Sequence, residues 1–459
     1  MSKYLLVDFG STYTKLTAVD TNEEKILATS VSFSTVDSDI EVGFNKTLKK
    51  LENKIGIQTY DKTVACSSAA GGLKMAAIGI VPELTVEAAK RTCMGAGAKV
   101  DMVFSYKLTK SDIRKIKESD IDIILLAGGT DGGNTEIVLH NIEVIAKADL
   151  GIPVIYAGNK NLDDEARIHF EENNVSYFIA DNIMSKLNQL NMNSAKKLIH
   201  EVFLKRIISA KGIKKIENRI DQVLLPTPDA VLKASMLLSH GFDDIPGWGE
   251  LMVVDVGGAT TDIYSMSHGY PTRIDVMMKG LEEPYDKRTV EGDLGVRYSA
   301  IHAMEEIPRT VLNKLKESNI DIESEIQKRV NNPSYIPHDL RDHLIEEAIT
   351  LACVNVAVKR HAGTLEQYYT SQGMVYYQLG KNLLRVQKII GTGGNIINSP
   401  NPKDILRYAE GNQKDILDLR PHDPTYYLDK DYILSAMGLL SLIDPKCALK
   451  LLKKHIIKI

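Results

Sequence analysis

Two stretches of this chain repeat one design. Asp8-Phe-Gly-Ser-Thr-Tyr-Thr-Lys15 and Asp255-Val-Gly-Gly-Ala-Thr-Thr-Asp262 each follow a short apolar run, Tyr4 to Val7 and Leu251 to Val254, and lie far apart in the sequence. An apolar, β-prone run that ends in an acid and glycine predicts a buried strand turning sharply into a hairpin. Such a turn leaves backbone N–H groups and hydroxyls facing anionic oxygens. A carboxylate at the strand end suits hydrated Mg2+, which binds through one or two carboxylates plus substrate phosphates. One copy is compatible with an ordinary structural turn. Two copies make the chain look like a duplicated phosphate clamp.

The remaining bounds are broad. At 459 residues the chain has room for roughly three domain-sized units. Its formal charge is only -4, so no global field favours nucleic acid or anionic lipid. The opening residues Met1 to Asp8 meet an acid too early for a signal-peptide core, and no later apolar run approaches the ~20 residues of a spanning helix. The expected setting is cytoplasmic, with neither a membrane nor a nucleic-acid partner. Cys66, Cys93, Cys353 and Cys447 are scattered without C-x-x-C spacing, which predicts free thiols without zinc or structural disulfides.

Along the chain, Lys15 to Asp20 and Lys25 to Phe33 read as further strands of a meander. Thr63 to Ser68 reads as a strand entering the turn Ala69 to Gly72, followed by helix from Leu73, helix across Glu87 to Ala98 and a strand over Val100 to Tyr106. From Ile121 a strand–turn–helix pattern repeats: Ile121 to Ala127, the loop Gly128-Gly-Thr-Asp-Gly-Gly133, a helix from Asn134 to Ala148, then strands at Pro153 to Ala157 and Val175 to Ile179 around the helix Asp163 to Glu172. Residues 119–182 thus look like a small parallel α/β unit inserted in the first half. The Lys-rich stretch 195–218 is spaced as an amphipathic, solvated helix. Leu237 to Gly249 is the expected linker and Lys279 to Arg297 a polar loop. Lys388 to Thr392 is a strand breaking into a glycine turn that opens a helix, and a last helix covers Tyr432 to Leu442.

Two hairpins, a late Gly-Gly turn and a terminal helix with the small-residue pattern Ser435-Ala-Met-Gly438 resemble, in this order, the actin, Hsp70 and sugar-kinase superfamily. The resemblance implies duplicated actin-like (ribonuclease H-like) ATPase domains carrying the inserted small parallel α/β unit. Residues 1–118 and 183–248 form the first half on this reading, 119–182 the insertion, and 249–459 the second half. The implied cofactors are ATP and Mg2+. Gly10, Ser11, Thr12 and Lys15, with Gly257, Gly258, Thr260 and Thr261, are implied to hold the phosphates from opposite sides, and Gly391, Gly393 and Gly394 to lie against adenosine. Asp8, Asp255 and Asp262 are implied to order the metal. Asp8 and Asp255 are the implied catalytic acids, with Asp255 orienting the attacking water. Small side chains at Ser435 to Gly438 are implied to let two connecting helices cross closely.

Further strings, Cys66 to Leu73, Leu125 to Asn134, Tyr156 to Asn159 and Arg288 to Gly295, resemble the glutamate mutase accessory family called MutL or GlmL, over essentially the whole chain. This resemblance implies an ATP-dependent reactivating factor or chaperone for an adenosylcobalamin-dependent mutase, glutamate mutase or a related aminomutase. It further implies weak ATPase activity coupled to conformational change, and mutase subunits as partners. The D-x-H-x-x-G pattern of base-off cobalamin domains is absent, so contact is expected with the mutase and not with its cofactor. The insertion and its Gly128 to Gly133 loop are the expected partner element. Two other readings stay open: a small-molecule kinase using Asp131 or Asp293 as base, and an actin-like nucleotide-dependent scaffold.

Overall fold

The run Tyr4 to Val7 lies in the middle strand of a five-stranded sheet whose spatial order is Gln222–Pro226, Lys62–Ser67, Lys3–Phe9, Tyr13–Asp20, Lys25–Phe33. The last three form the antiparallel meander, and the other two add in parallel beside Lys3–Phe9. The run Leu251 to Val254 occupies the same place in a second sheet, ordered Asp286–Glu291, Thr261–Met266, Leu251–Val256, Lys388–Thr392, Thr425–Leu428, with Ile457–Lys458 added at the edge. Again an antiparallel meander is followed by parallel strands. The repeated order establishes a duplicated, actin-like α/β architecture. This computed structural model describes residues 2–35, 39–68, 73–210, 219–371 and 373–459.

The strands Gln222–Pro226 and Thr425–Leu428 each lead into a helix, Thr227–His240 in the first half and Leu434–Leu440 in the second. The two helices pack on each other with Leu6, Val64, Val253 and Tyr264 in one continuous apolar core. Their approach depends on Gly438, because a Cβ there would collide with the Ala230 carbonyl. A separate core lies under the long helix Leu340–His361, whose Ile345, Ile349 and Ala352 pack with Met252 and Ile389. Both cores belong to one compact unit, Met1–Ser67 with Lys215–Lys279 and Glu283–Ile459.

The second compact unit comprises Ser68–Lys214 and Gly280–Glu282. It holds a wholly parallel sheet in the order Lys99–Phe104, Lys74–Ile78, Ile123–Leu126, Val154–Tyr156, Tyr177–Ile179. The sheet therefore reaches well upstream of residue 119. Met75 to Ile78, read as helical from sequence, is a fully buried central strand. A short apolar run cannot be assigned to helix or strand by periodicity alone, and here two parallel neighbours decide it.

Other differences have similar causes. The Leu237 to Gly249 stretch is no free linker: the helix continues to His240, a small hairpin pairs Gly241–Phe242 with Ile245–Pro246, and Trp248 N donates to Leu238 O. The middle of the polar loop is a strand, Asp286–Glu291, whose polar side chains suit a sheet edge. A three-stranded sheet of Val276–Lys279, Gly373–Leu379 and Thr364–Thr370 was not anticipated. The Ala69 to Gly72 turn and the end of the Lys-rich stretch lie outside the described residues. All four cysteines are unpaired and buried. Among the described residues no helix is long and apolar enough to cross a membrane.

Candidate functional site

The two hairpins close with the same bond: Gly10 N donates to Tyr13 O at 3.0 Å and Gly257 N to Thr260 O at 2.9 Å. They face one another, since the Cβ that Gly258 lacks would lie 3.0 Å from Thr12 Oγ1. The late glycine turn completes the arrangement. Gly393, at φ +93°, presses on the Val256 carbonyl so closely that no side chain fits, a backbone state that favours glycine. The Cβ missing from Gly394, the first residue of a helical turn, would lie 3.5 Å from the Tyr13 ring. Three backbone segments without obstructing side chains thus converge within one compact unit, leaving a cradle suited to a polyphosphate.

The acids at the two strand ends differ in their partners. Asp8 is buried and its carboxylate is saturated. Lys15 Nζ donates to Oδ2 at 2.9 Å, Ser435 Oγ to the same oxygen at 2.9 Å and Thr227 Oγ1 to Oδ1 at 2.7 Å. Burial opposes the charge on Lys15, yet Asp8, Tyr432 and Asp255 together outweigh it and hold its pKa above the ordinary value. The Asp255 carboxylate accepts no hydrogen bond and joins no ion pair among the described residues. Burial first, then repulsion from Asp262, push its pKa up to about 7, with Asp8 and Asp429 adding to the rise and Lys15 opposing it. Its neighbour Asp262 is engaged by Arg288, with Nε at 2.8 Å and Nη2 at 2.6 Å from Oδ1, and accepts from Thr260 Oγ1 at 3.2 Å.

Several residues named from sequence therefore sit at the cradle: Asp8, Gly10, Ser11, Thr12, Lys15, Asp255, Gly257, Gly258, Thr260, Gly393 and Gly394. Thr261 and Gly391 face elsewhere. The Thr261 hydroxyl is buried and donates to Leu294 O, because alternate residues of a strand point to opposite faces. Gly391 abuts Ile396 and Leu406 in the core. Asp262 is already charge-compensated. Residues whose role sequence reasoning missed are Thr227, Arg288 and Tyr432. Tyr432 carries the Lys15 ammonium 3.6 Å from its ring centroid and has φ +56°.

Among the described residues no group of three or more metal-ligating side chains forms. The unbonded Asp255 carboxylate in an acidic surrounding does fit Mg2+, whose usual protein complement is one or two carboxylates beside substrate phosphates. Bound there, Mg2+ would supply charge neutralisation for phosphoryl oxygens and a Lewis acid. Asp131 and Asp293, the acids weighed as kinase bases, are both partnered. Asp131 Oδ1 accepts from Asn182 Nδ2 and from Lys160 N, and Asp293 pairs with Arg360 Nη1 at 2.9 Å.

Comparison with solved structures returns chains at low similarity. The (R)-2-hydroxyglutaryl-CoA dehydratase component A of Acidaminococcus fermentans is 9% identical, with 99% of each chain covered and a TM-score of 0.33. The activator of the 2-hydroxyisocaproyl-CoA dehydratase from Clostridium difficile, with bound ADPNP, is 10% identical over 98% of this chain and 97% of that one, with a TM-score of 0.32. Sequence comparison is far stronger. Protein MutL of Clostridium tetanomorphum is 47% identical over 462 residues, covering all of both chains. The MutL protein family model matches residues 4–456. With end-to-end agreement on both counts, the chain belongs to the MutL protein family.

Proposed function

We propose that this protein is an ATP-dependent activator of the actin-like type, and that its client is an adenosylcobalamin-dependent mutase, glutamate mutase or a related aminomutase, which it reactivates by driving exchange of damaged cobalamin. The observation that carries the first part is the convergence of two hairpins and the late glycine turn on one cradle, with a lysine and an unbonded aspartate at its centre. Phosphoryl transfer to water asks little covalent chemistry of a protein; it asks for positioning and for matched charge. The hairpin glycines let backbone approach the phosphates, and Lys15 supplies a fixed cation. Asp255, with a pKa near neutrality, suits a group that orients water and accepts its proton. Crossing helices packed through Gly438 provide a joint for the two halves of the actin-like unit.

The mutase client is supported by family membership and by the implied role of the glutamate mutase accessory family. The inserted α/β unit is the proposed partner element. The test is reactivation: protein, ATP and Mg2+ added to a mutase inactivated with hydroxocobalamin restore its activity, and ADP does not. Absence of recovery with every cobalamin mutase of the same cell overturns the client assignment. The kinase reading predicts acceptor-dependent ADP release in a panel of sugars and carboxylates. The partnered state of Asp131 and Asp293 disfavours it.

A further inference from the structure

Lys15 is held by more than its carboxylate partner. Its ammonium stands over the Tyr432 ring, an arrangement in which the ring face attracts the cation. Tyr432 is itself fixed in a left-handed backbone conformation. Its N–H donates to Asp429 O, and the Asp429 carboxylate accepts from Ile433 N at 2.9 Å, Leu434 N at 3.2 Å and Thr392 Oγ1 at 3.0 Å. Thr392 directly precedes the Gly393-Gly394 turn, so the platform under Lys15 is tied to the segment that closes the cradle. A residue in a sparsely populated backbone state persists only where its surroundings over-determine it, and such residues cluster at functional sites.

The other face of the ion pair leads to the joint. Of the hydroxyls on Asp8, Thr227 opens the helix Thr227–His240 and Ser435 lies in the first turn of Leu434–Leu440. Those are the helices that meet at Gly438 and Ala230.

We propose that Tyr432 is a positioning residue that steadies the Lys15 ammonium while it exchanges Asp8 for the terminal phosphate of ATP, and that Thr227 and Ser435 pass the resulting change at Asp8 to the crossing helices. This rests on the ATP-binding reading above and deepens it. The aromatic face is indifferent to which anion lies on the ammonium's far side, so the lysine changes partners without losing its support. Asp8, left by the lysine, keeps its two hydroxyl donors and remains hydrogen-bonded within a buried setting. A triphosphate thus alters the bonding of Asp8 and a diphosphate does not, giving the helices a signal that depends on the terminal phosphate.

The experiment measures dissociation constants for ATP and ADP by calorimetry on the full chain. Wild type that binds neither nucleotide sinks the ATP reading itself and leaves no role for Tyr432. If wild type binds, Tyr432→Leu is expected to weaken ATP about tenfold while changing ADP less than threefold, and Tyr432→Phe, which retains the ring face, to restore the wild-type ATP-to-ADP ratio. A Tyr432→Leu protein with the wild-type ratio overturns the proposal, as does failure of Phe to restore it. Should Tyr432→Leu not fold, Ser435→Ala decides. With one donor fewer, Asp8 retains Lys15 more firmly and ATP affinity falls severalfold at constant ADP affinity; an unchanged ratio overturns the proposal.

Discussion

The two hairpins share backbone, register and turn closure, yet their acids are in opposite electrostatic states. Directly across from Asp8 stands Lys15; directly across from Asp255 stands Asp262. The first pair attracts and is closed by hydroxyls from two helices. The second repels, as like charges opposed across strands do, and the repulsion is eased by Arg288 on Asp262 and by Lys15 near Asp255. One frame therefore occurs twice, and the residue seven positions after each leading aspartate, lysine in one and aspartate in the other, sets an ion pair apart from a like-charge pair.

The sharpest way to break this comparison is Asp255→Ala. With the proposed water-orienting acid gone, ATP hydrolysis is expected to fall by at least ~100-fold, or ~2.7 kcal/mol of barrier, while circular dichroism shows an intact fold. Turnover near the wild-type rate contradicts the role. Next comes Lys15→Met, which leaves Asp8 charged, buried and supported only by hydroxyls. Removing one partner of a buried pair costs about 3–5 kcal/mol in typical cases, and the hydroxyls should reduce this to roughly 2–3 kcal/mol in urea unfolding. A loss below about 0.5 kcal/mol would show that the ion pair matters little to stability.

Asp262→Asn sharpens the contrast from the other side. Removing the repelling charge lowers the pKa of Asp255, so the acidic limb of kcat/KM against pH, near 7 in the wild type if Asp255 acts as base, is expected to move to lower pH. A limb that stays in place assigns it to another group. The smallest effect concerns stability of the nucleotide-free protein. Because the folded-state pKa of Asp255 is raised, its contribution is fully present below the unfolded value near 3.8 and is lost as pH rises through about 7. Asp255→Asn should therefore raise Tm at pH about 8, and the gain should vanish below pH about 4. Equal gains at both pH values refute the ionisation account.

Much of this was legible in order along the chain. The first meander, the hairpin of the second, the late strand and turn, and the helices Asp163–Glu172 and Glu136–Ala146 follow from local apolar runs, glycine placement and helical spacing. Lys74–Ile78 was not, because a buried run of that length obtains its strand state from Lys99–Phe104 and Ile123–Leu126 on either side. At the site, glycines at the hairpin tips announced themselves, whereas Thr227 and Tyr432 are ordinary residue types at unremarkable positions. Thr261 and Gly391 misled for the converse reason: they fall within recognisable glycine–threonine strings but point into the core.

What the sequence determined by itself is the repeated frame and the chemistry at its corners, since strand formation, tight turns and the spacing of acid and lysine are local properties of a few consecutive residues. Only the tertiary structure decided how completely each aspartate is compensated. Asp8 acquires donors 219 and 427 residues away, and charge compensation in a buried site depends on distance in space, to which separation along the chain is no guide.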